Sequence, residues 1–210
     1  MRLDHARLGP VYFVTDAGAP APVEAQVRAA LDAGVRMIQL RDKDADDATF
    51  GEQARALLGL TRAAGAVLIV NDRVEIAVRI GADGVHVGQG DGDIAAIRAA
   101  TGADMILGLS VETEAQLAAI PLDCIDYLGT GPLRATATKP DAAQPLGIDG
   151  MARLIAAASL PCVAIGGVKQ ADVAALRDLG AAGIAVVSAI SRAEDMEGAA
   201  RALIEAWRQV

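Results

Sequence analysis

The chain has 210 residues, 53% of them hydrophobic, which is enough for one well-buried core and short for two, so a single domain over residues 1–210 is expected. A net charge of −8 argues against a general nucleic-acid partner, because phosphate backbones are bound by a surplus of Lys and Arg. No run approaches the roughly 18 uninterrupted apolar residues of a membrane span, and no basic segment followed by an apolar one opens the chain, so the expectation is a cytoplasmic protein with no membrane partner.

Aromatic residues make up only 2% of the chain, which leaves Ala, Val, Leu and Ile to fill the core; these are the residues that pack parallel strands between helices. Strands are predicted at 11–15, 36–40, 67–70, 84–87, 105–109, 126–130, 162–165 and 183–187. Helical stretches alternate with them at 22–33, 49–64, 73–80, 91–101, 112–119, 148–158, 169–179 and 194–208, the first opening with Pro22 and stopping before Gly34. The junctions Ala33-Gly34-Val35, Gly81-Ala82-Asp83-Gly84-Val85 and Gly180-Ala181-Ala182-Gly183-Ile184 each close a helix on glycine and open a strand. Eight strands alternating with eight helices in this length read as an α/β fold, a (β/α)8 TIM barrel. An open doubly wound sheet is the rival, and it too would gather ligand groups at the carboxyl ends of its strands. Cys124 and Cys162 lie in apolar stretches without metal-type spacing and are expected as buried, reduced thiols.

The chemistry-bearing residues fall where the apolar runs end. In the second strand the period of two places Gln39 and Arg41 on one face and Ile38 and Leu40 on the other, so Arg41 offers its fork to phosphate oxygens at the barrel mouth and Lys43 adds a point charge. Asn71-Asp72 and Asp91 follow strands three and four, near enough to share one hard cation such as Mg2+; either aspartate would serve equally as the N-cap of the helix after it. His86 points inward from the fourth strand, more as a satisfied interior histidine than as a base. Thr136-Ala137-Thr138-Lys139 sit on a long loop after the sixth strand, and Ser110 ends the fifth. Gly166-Gly167 and Val187-Ser188 follow strands seven and eight, the usual phosphate corner of such barrels. Two anion sites side by side suggest a transferase acting on two small phosphorylated substrates.

The segments Gln39-Leu40-Arg41-Asp42-Lys43, Val70-Asn71-Asp72-Arg73, Gly81 to Gln89, Thr136 to Lys139, Ala164 to Val168 and Val186 to Ile190 resemble those of the thiamine-phosphate synthase family, over nearly the whole chain and in the expected order. The resemblance implies a Mg2+-assisted diphosphorylase that joins 4-amino-5-hydroxymethyl-2-methylpyrimidine diphosphate to a thiazole phosphate. It implies that Gln39, Leu40, Arg41, Asp42, Lys43, Asn71, Ser110 and Lys139 hold the pyrimidine diphosphate, with Arg41, Lys43, Lys139 and Ser110 acting in catalysis. It further implies that Asp72 and Asp91 bind the metal, and that Thr136, Ala137, Thr138, Gly167, Val187 and Ser188 hold the thiazole phosphate. A homodimer is compatible with it. The sequence departs from the family pattern at Gly90, at Glu112 and over Pro132 to Ala135. Competing assignments are a thiazole-phosphate tautomerase of the same superfamily and a non-catalytic phosphate-ligand binding protein; the joint presence of Arg41, Lys43, Asp72, Asp91 and Lys139 favours coupling.

Overall fold

The strands of this chain alternate between a helix-facing side and a barrel interior, and that alternation builds the fold. In the structure, a computed structural model that describes residues 9–135 and 144–209, the strands are β1 (Val11–Val14), β2 (Met37–Leu40), β3 (Val67–Asn71), β4 (Gly84–Val87), β5 (Ile106–Val111), β6 (Tyr127–Thr130), β7 (Cys162–Ala164) and β8 (Gly183–Val186). All pair in parallel with their chain neighbours, and β8 returns to β1 through Val11↔Ile184 and Phe13↔Val186, closing the barrel. The closed ring rules out the open sheet.

Phe13, Ile38, Leu40, Leu68, Val70, Val85, Leu107 and Leu128 point outward into one large core shared with the helices. Tyr12, Met37, Ile69, Tyr127, Val163 and Ala185 point inward and form a second, smaller core along the barrel axis. The period of two read from the sequence for β2 and β4 therefore holds, with Ile38, Leu40, Val85 and Val87 in the outer core and Gln39 and His86 facing the cavity.

The helices are α1 (Val23–Asp32), α2 (Asp47–Ala63), α3 (Val74–Ile80), α4 (Ile94–Thr101), α5 (Glu114–Ala118), α6 (Gly147–Ala157), α7 (Val173–Asp178), α8 (Ser188–Ser191) and α9 (Met196–Arg208). Side-chain caps move the predicted starts. Asp46 accepts from the amides of Ala48 and Thr49 and begins α2 two residues early, and Asp93 accepts from Ala96 and begins α4 three residues late. The stretch predicted over 169–179 opens with a 3-10 turn, Gln170–Asp172, and the short α8 was not foreseen. At the helix ends Gly34, Gly81 and Gly180 take positive φ, as their junctions demand. Cys162 is buried in the outer core, where burial pushes its thiol up to about 12, whereas Cys124 is only half-buried in a 3-10 turn. No described helix is long and apolar enough to cross a membrane.

Candidate active site

Parallel closure sends every loop that follows a strand to one rim, and the loops there surround a cavity of about 400 Å³, within the ordinary range for a small-molecule site. All eight strands or the loops after them contribute to its walls. Of the residues singled out in the sequence, Gln39, Arg41, Lys43, Asn71, Asp72, Asp91, Ser110, Gly167, Val187 and Ser188 line it together. Two do not. Leu40 is fully buried among the helix-facing side chains, and Asp42 turns its carboxylate back onto the amides of Asp44 and Ala45, shaping the loop that carries Lys43. Thr136, Ala137, Thr138 and Lys139 lie outside the described residues.

Register explains the acidic pair. Asn71 stands opposite His86, so β3 and β4 end side by side and deliver Asp72 and Asp91 to one place. Neither is a helix cap: Arg73 holds the N-cap position of α3 without a side-chain hydrogen bond, and Asp93 caps α4. Asp91 instead accepts from the Gly88 amide at 2.6 Å, which fixes its loop. Asp72 adopts φ of 60°, the sole non-glycine residue among those described with positive φ. That conformation costs of the order of 1–3 kcal/mol and is held by the Asp72 amide donating to the His86 carbonyl at 2.9 Å. Burial, then the charge of Asp91 and a hydrogen bond with it, raise the Asp72 carboxyl to about 6, while Lys43 and Asn71 beside it act in the opposite direction. An ionised Asp72 beside Asp91 therefore carries charge that burial disfavours, and a hard divalent cation supplies the neutralisation. The donor set suits magnesium, which takes one or two carboxylates and completes its shell with water and substrate phosphate oxygens; among the described residues no cluster of three or more metal-type ligands forms.

The opposite corner is built differently. Gly166 and Gly167 have φ of 93° and 66°, and a Cβ on Gly166 would lie 2.4 Å from that of Pro132. Only glycine fits, and the bare backbone leaves room for a phosphate beside the first turn of α8 at Ser188. The stem of the long loop is tied to this corner: Leu133 and Arg134 donate their amides to Ile165 and Gly166, and the Arg134 guanidinium grips Asp172 with two bonds of 2.5 and 2.6 Å. Arg134 belongs to the segment that departs from the family pattern, and its hydrogen bonds hold the Asp172 carboxyl below the usual range. Of the other departures, Gly90 and Glu112 both line the cavity.

Between the two corners lies a polar floor that the sequence did not disclose. Tyr12 and Tyr127 were read only as members of apolar runs, yet their hydroxyls lie 3.0 Å apart on the barrel axis. His86, 9% exposed, bonds Tyr127 through Nδ1 and Ser110 through Nε2, which bears out its reading as a satisfied interior histidine. Gln89 also donates to the Ser110 carbonyl at 2.6 Å. The one available signal was the pair of glycines, Gly108 and Gly129, at inward positions of β5 and β6. A Cβ at Gly108 would stand 2.2 Å from the Tyr127 ring and 2.4 Å from His86 Nδ1.

Comparison with known proteins agrees with this geometry. Residues 11–190 match the sequence profile of the family described as thiamine monophosphate synthase. The chain is 48% identical to the thiamine-phosphate synthase of Azorhizobium caulinodans over 92% of each chain, and 46% identical to that of Chloroflexus aurantiacus over 92% of this chain and 90% of that one. Among solved structures, it superposes on the thiamine phosphate pyrophosphorylase of Pyrococcus furiosus with a TM-score of 0.87 at 31% identity, covering 97% of both chains.

Proposed function

Because this chain belongs to the thiamine monophosphate synthase family, we propose that its rim couples the pyrimidine diphosphate to the thiazole phosphate, yielding thiamine phosphate and diphosphate. It is an enzyme, a transferase of the diphosphorylase kind. The observation that carries the assignment of roles is the pairing of Asp72 with Asp91 beside Lys43, across one cavity from a glycine-lined phosphate corner. A tautomerase or a simple binder needs the second corner and has no use for the first.

The C–O bond between the pyrimidine methylene and the diphosphate breaks, and diphosphate leaves with the electron pair. Arg41 and Lys43 face the oxygens on which negative charge grows and stabilise it as the bond breaks. The Arg41 backbone is anchored for this task, its amide donating to Thr15 Oγ1 at 3.0 Å. A magnesium ion held by Asp72 and Asp91 would supply Lewis-acid neutralisation of the departing oxygens. Gln39, Asn71 and Ser110 hold the pyrimidine, while Gly167, Val187 and Ser188 hold the thiazole phosphate. The thiazole nitrogen is thereby set against the methylene carbon, and a C–N bond forms from its lone pair. No proton moves in that step, so no general base is required, and positioning contributes much of the rate.

The test is diphosphate release by the purified chain given both substrates, with and without Mg2+ and with each substrate omitted in turn. Mg2+-dependent release matched mole for mole by thiamine phosphate supports the assignment. Binding of both ligands without release would sink it in favour of a binder.

A further inference from the structure

The polar floor of the cavity is one unbroken chain of hydrogen bonds, and it can be polarised in either of two directions. Gln39 Nε2 donates to the Tyr12 hydroxyl at 2.6 Å. In one direction Tyr12 donates its single proton to Tyr127 at 3.0 Å and Tyr127 donates its own to His86 Nδ1 at 2.9 Å; in the other both bonds reverse. Burial raises both phenols above their ordinary range, so each keeps that proton at neutral pH. With Nδ1 accepting, a neutral His86 carries its hydrogen on Nε2 and donates it to Ser110 Oγ at 3.0 Å. Two consequences reach the cavity: the Gln39 carbonyl oxygen is left as an acceptor, and the Ser110 hydroxyl hydrogen is left as a donor.

We infer that the chain runs in the first of these directions and acts as a polarity relay, coupling Gln39 and Ser110 into one acceptor–donor pair that selects a 4-aminopyrimidine ring over its 4-oxo counterpart. The inference rests on the reading that Gln39 and Ser110 hold the pyrimidine. A 4-aminopyrimidine presents an exocyclic N–H beside a ring nitrogen with a free lone pair, which complements the pair. A 4-oxo ring presents the reverse, a carbonyl beside a ring N–H. To receive it, every link must invert together, including the tautomer of a buried histidine. Tyr12, Tyr127 and His86 thus determine specificity without being required to touch the reacting atoms. The barrel makes room for them: Gly108 and Gly129 stand where any side chain would collide with Tyr127 or crowd the imidazole.

The measurement is kcat/KM for the 4-amino and 4-oxo pyrimidine diphosphates at saturating thiazole phosphate, in the parent chain and in Tyr12→Phe and Tyr127→Phe. A site that pairs with specific polar groups discriminates strongly, so a parent preference of about 100-fold or more is expected, falling about tenfold in each variant. The two variants cut different links, so one suffices if the other fails to fold. Independently, 15N NMR of the parent reads the His86 tautomer; with two histidines in the chain assignment is direct, and Nε2–H is expected in the complex with the 4-amino substrate. Nδ1–H, or an undiminished preference in the Phe variants, would overturn the relay. A pyrimidine diphosphate KM unchanged in Ser110→Ala would instead show that the ring does not sit here, removing the premise rather than the relay.

Discussion

The two anion corners of this barrel answer similar ligands with opposite means. The β2–β4 side presents ionised side chains, Arg41, Lys43, Asp72 and Asp91. The β7–β8 side presents backbone at Gly166 and Gly167, with Val187 and Ser188 alongside. The difference follows the chemistry proposed for each. A diphosphate that departs gains negative charge as the bond breaks, and mobile-charge stabilisation by cations lowers that barrier. A phosphate carried through unchanged needs only to be gripped. Substitutions on the first side should therefore strike turnover and spare the fold, and those on the second should strike the fold.

The largest effect is expected from Arg41→Ala. Loss of a preorganised donor to the leaving group should lower kcat by about 10²–10³, or roughly 3–4 kcal/mol, with Tm within about a degree of the parent. A fall in Tm matching the loss of activity would show that Arg41 is structural and dissolve the contrast.

Gly166→Ala should be next. Its φ of 93° and the 2.4 Å approach to Pro132 predict a loss of about 3 kcal/mol, seen as a Tm lower by roughly 10 °C, together with weaker thiazole phosphate binding. Unaltered melting would mean that the corner yields easily and that its glycines are dispensable.

Asp91→Ala should slow turnover by one to two orders of magnitude, on the order of 2 kcal/mol, and leave thiazole phosphate affinity unchanged in calorimetry. Full turnover at saturating Mg2+ would take Asp91 out of the metal site.

The smallest effect is in pH. Because the Asp72 carboxyl is raised to about 6, chiefly by burial and then by Asp91, proton and cation compete for it below that pH. Half-saturating Mg2+ for diphosphate release should rise by about tenfold per unit as pH falls below about 6, and Asp91→Asn should move that break to lower pH. The sign for folding is opposite. In the metal-free chain the raised carboxyl contributes most to stability when protonated, below about 4, and that contribution is lost as pH rises through about 6. An Mg2+ requirement independent of pH between 5 and 7 would place the cation elsewhere.

The fold was legible because the strands are short apolar runs alternating with helical stretches and three of the return loops carry a helix-ending glycine, at Gly34, Gly81 and Gly180. These are local properties. The acidic pair was legible because a parallel barrel puts consecutive strand ends together, so Asp72 and Asp91 needed only the element order to meet. Leu40 and Asp42 entered the site through the family resemblance of the segment Gln39 to Lys43, whereas the period of two sends Leu40 the other way. The interior chain was not legible. Tyr12 and Tyr127 are 115 positions apart, and their contact depends on register accumulated around half the ring. Aromatic residues inside apolar runs look the same whether their hydroxyls meet partners or water. The boundaries of α2 and α4 were missed for a smaller reason: several aspartates stand near each start, and the backbone path decides which one caps.

The placement of the few aromatic residues gives the chain a built-in pair of optical reporters. Its two tyrosines both lie on the barrel axis, while its single tryptophan, Trp207, packs from α9 against the outer core. Closure of the eight-stranded ring and docking of the last helix are thus written into separate chromophores. A denaturation followed in the tyrosine and tryptophan bands would tell whether the ring opens together with α9 or after that helix has detached.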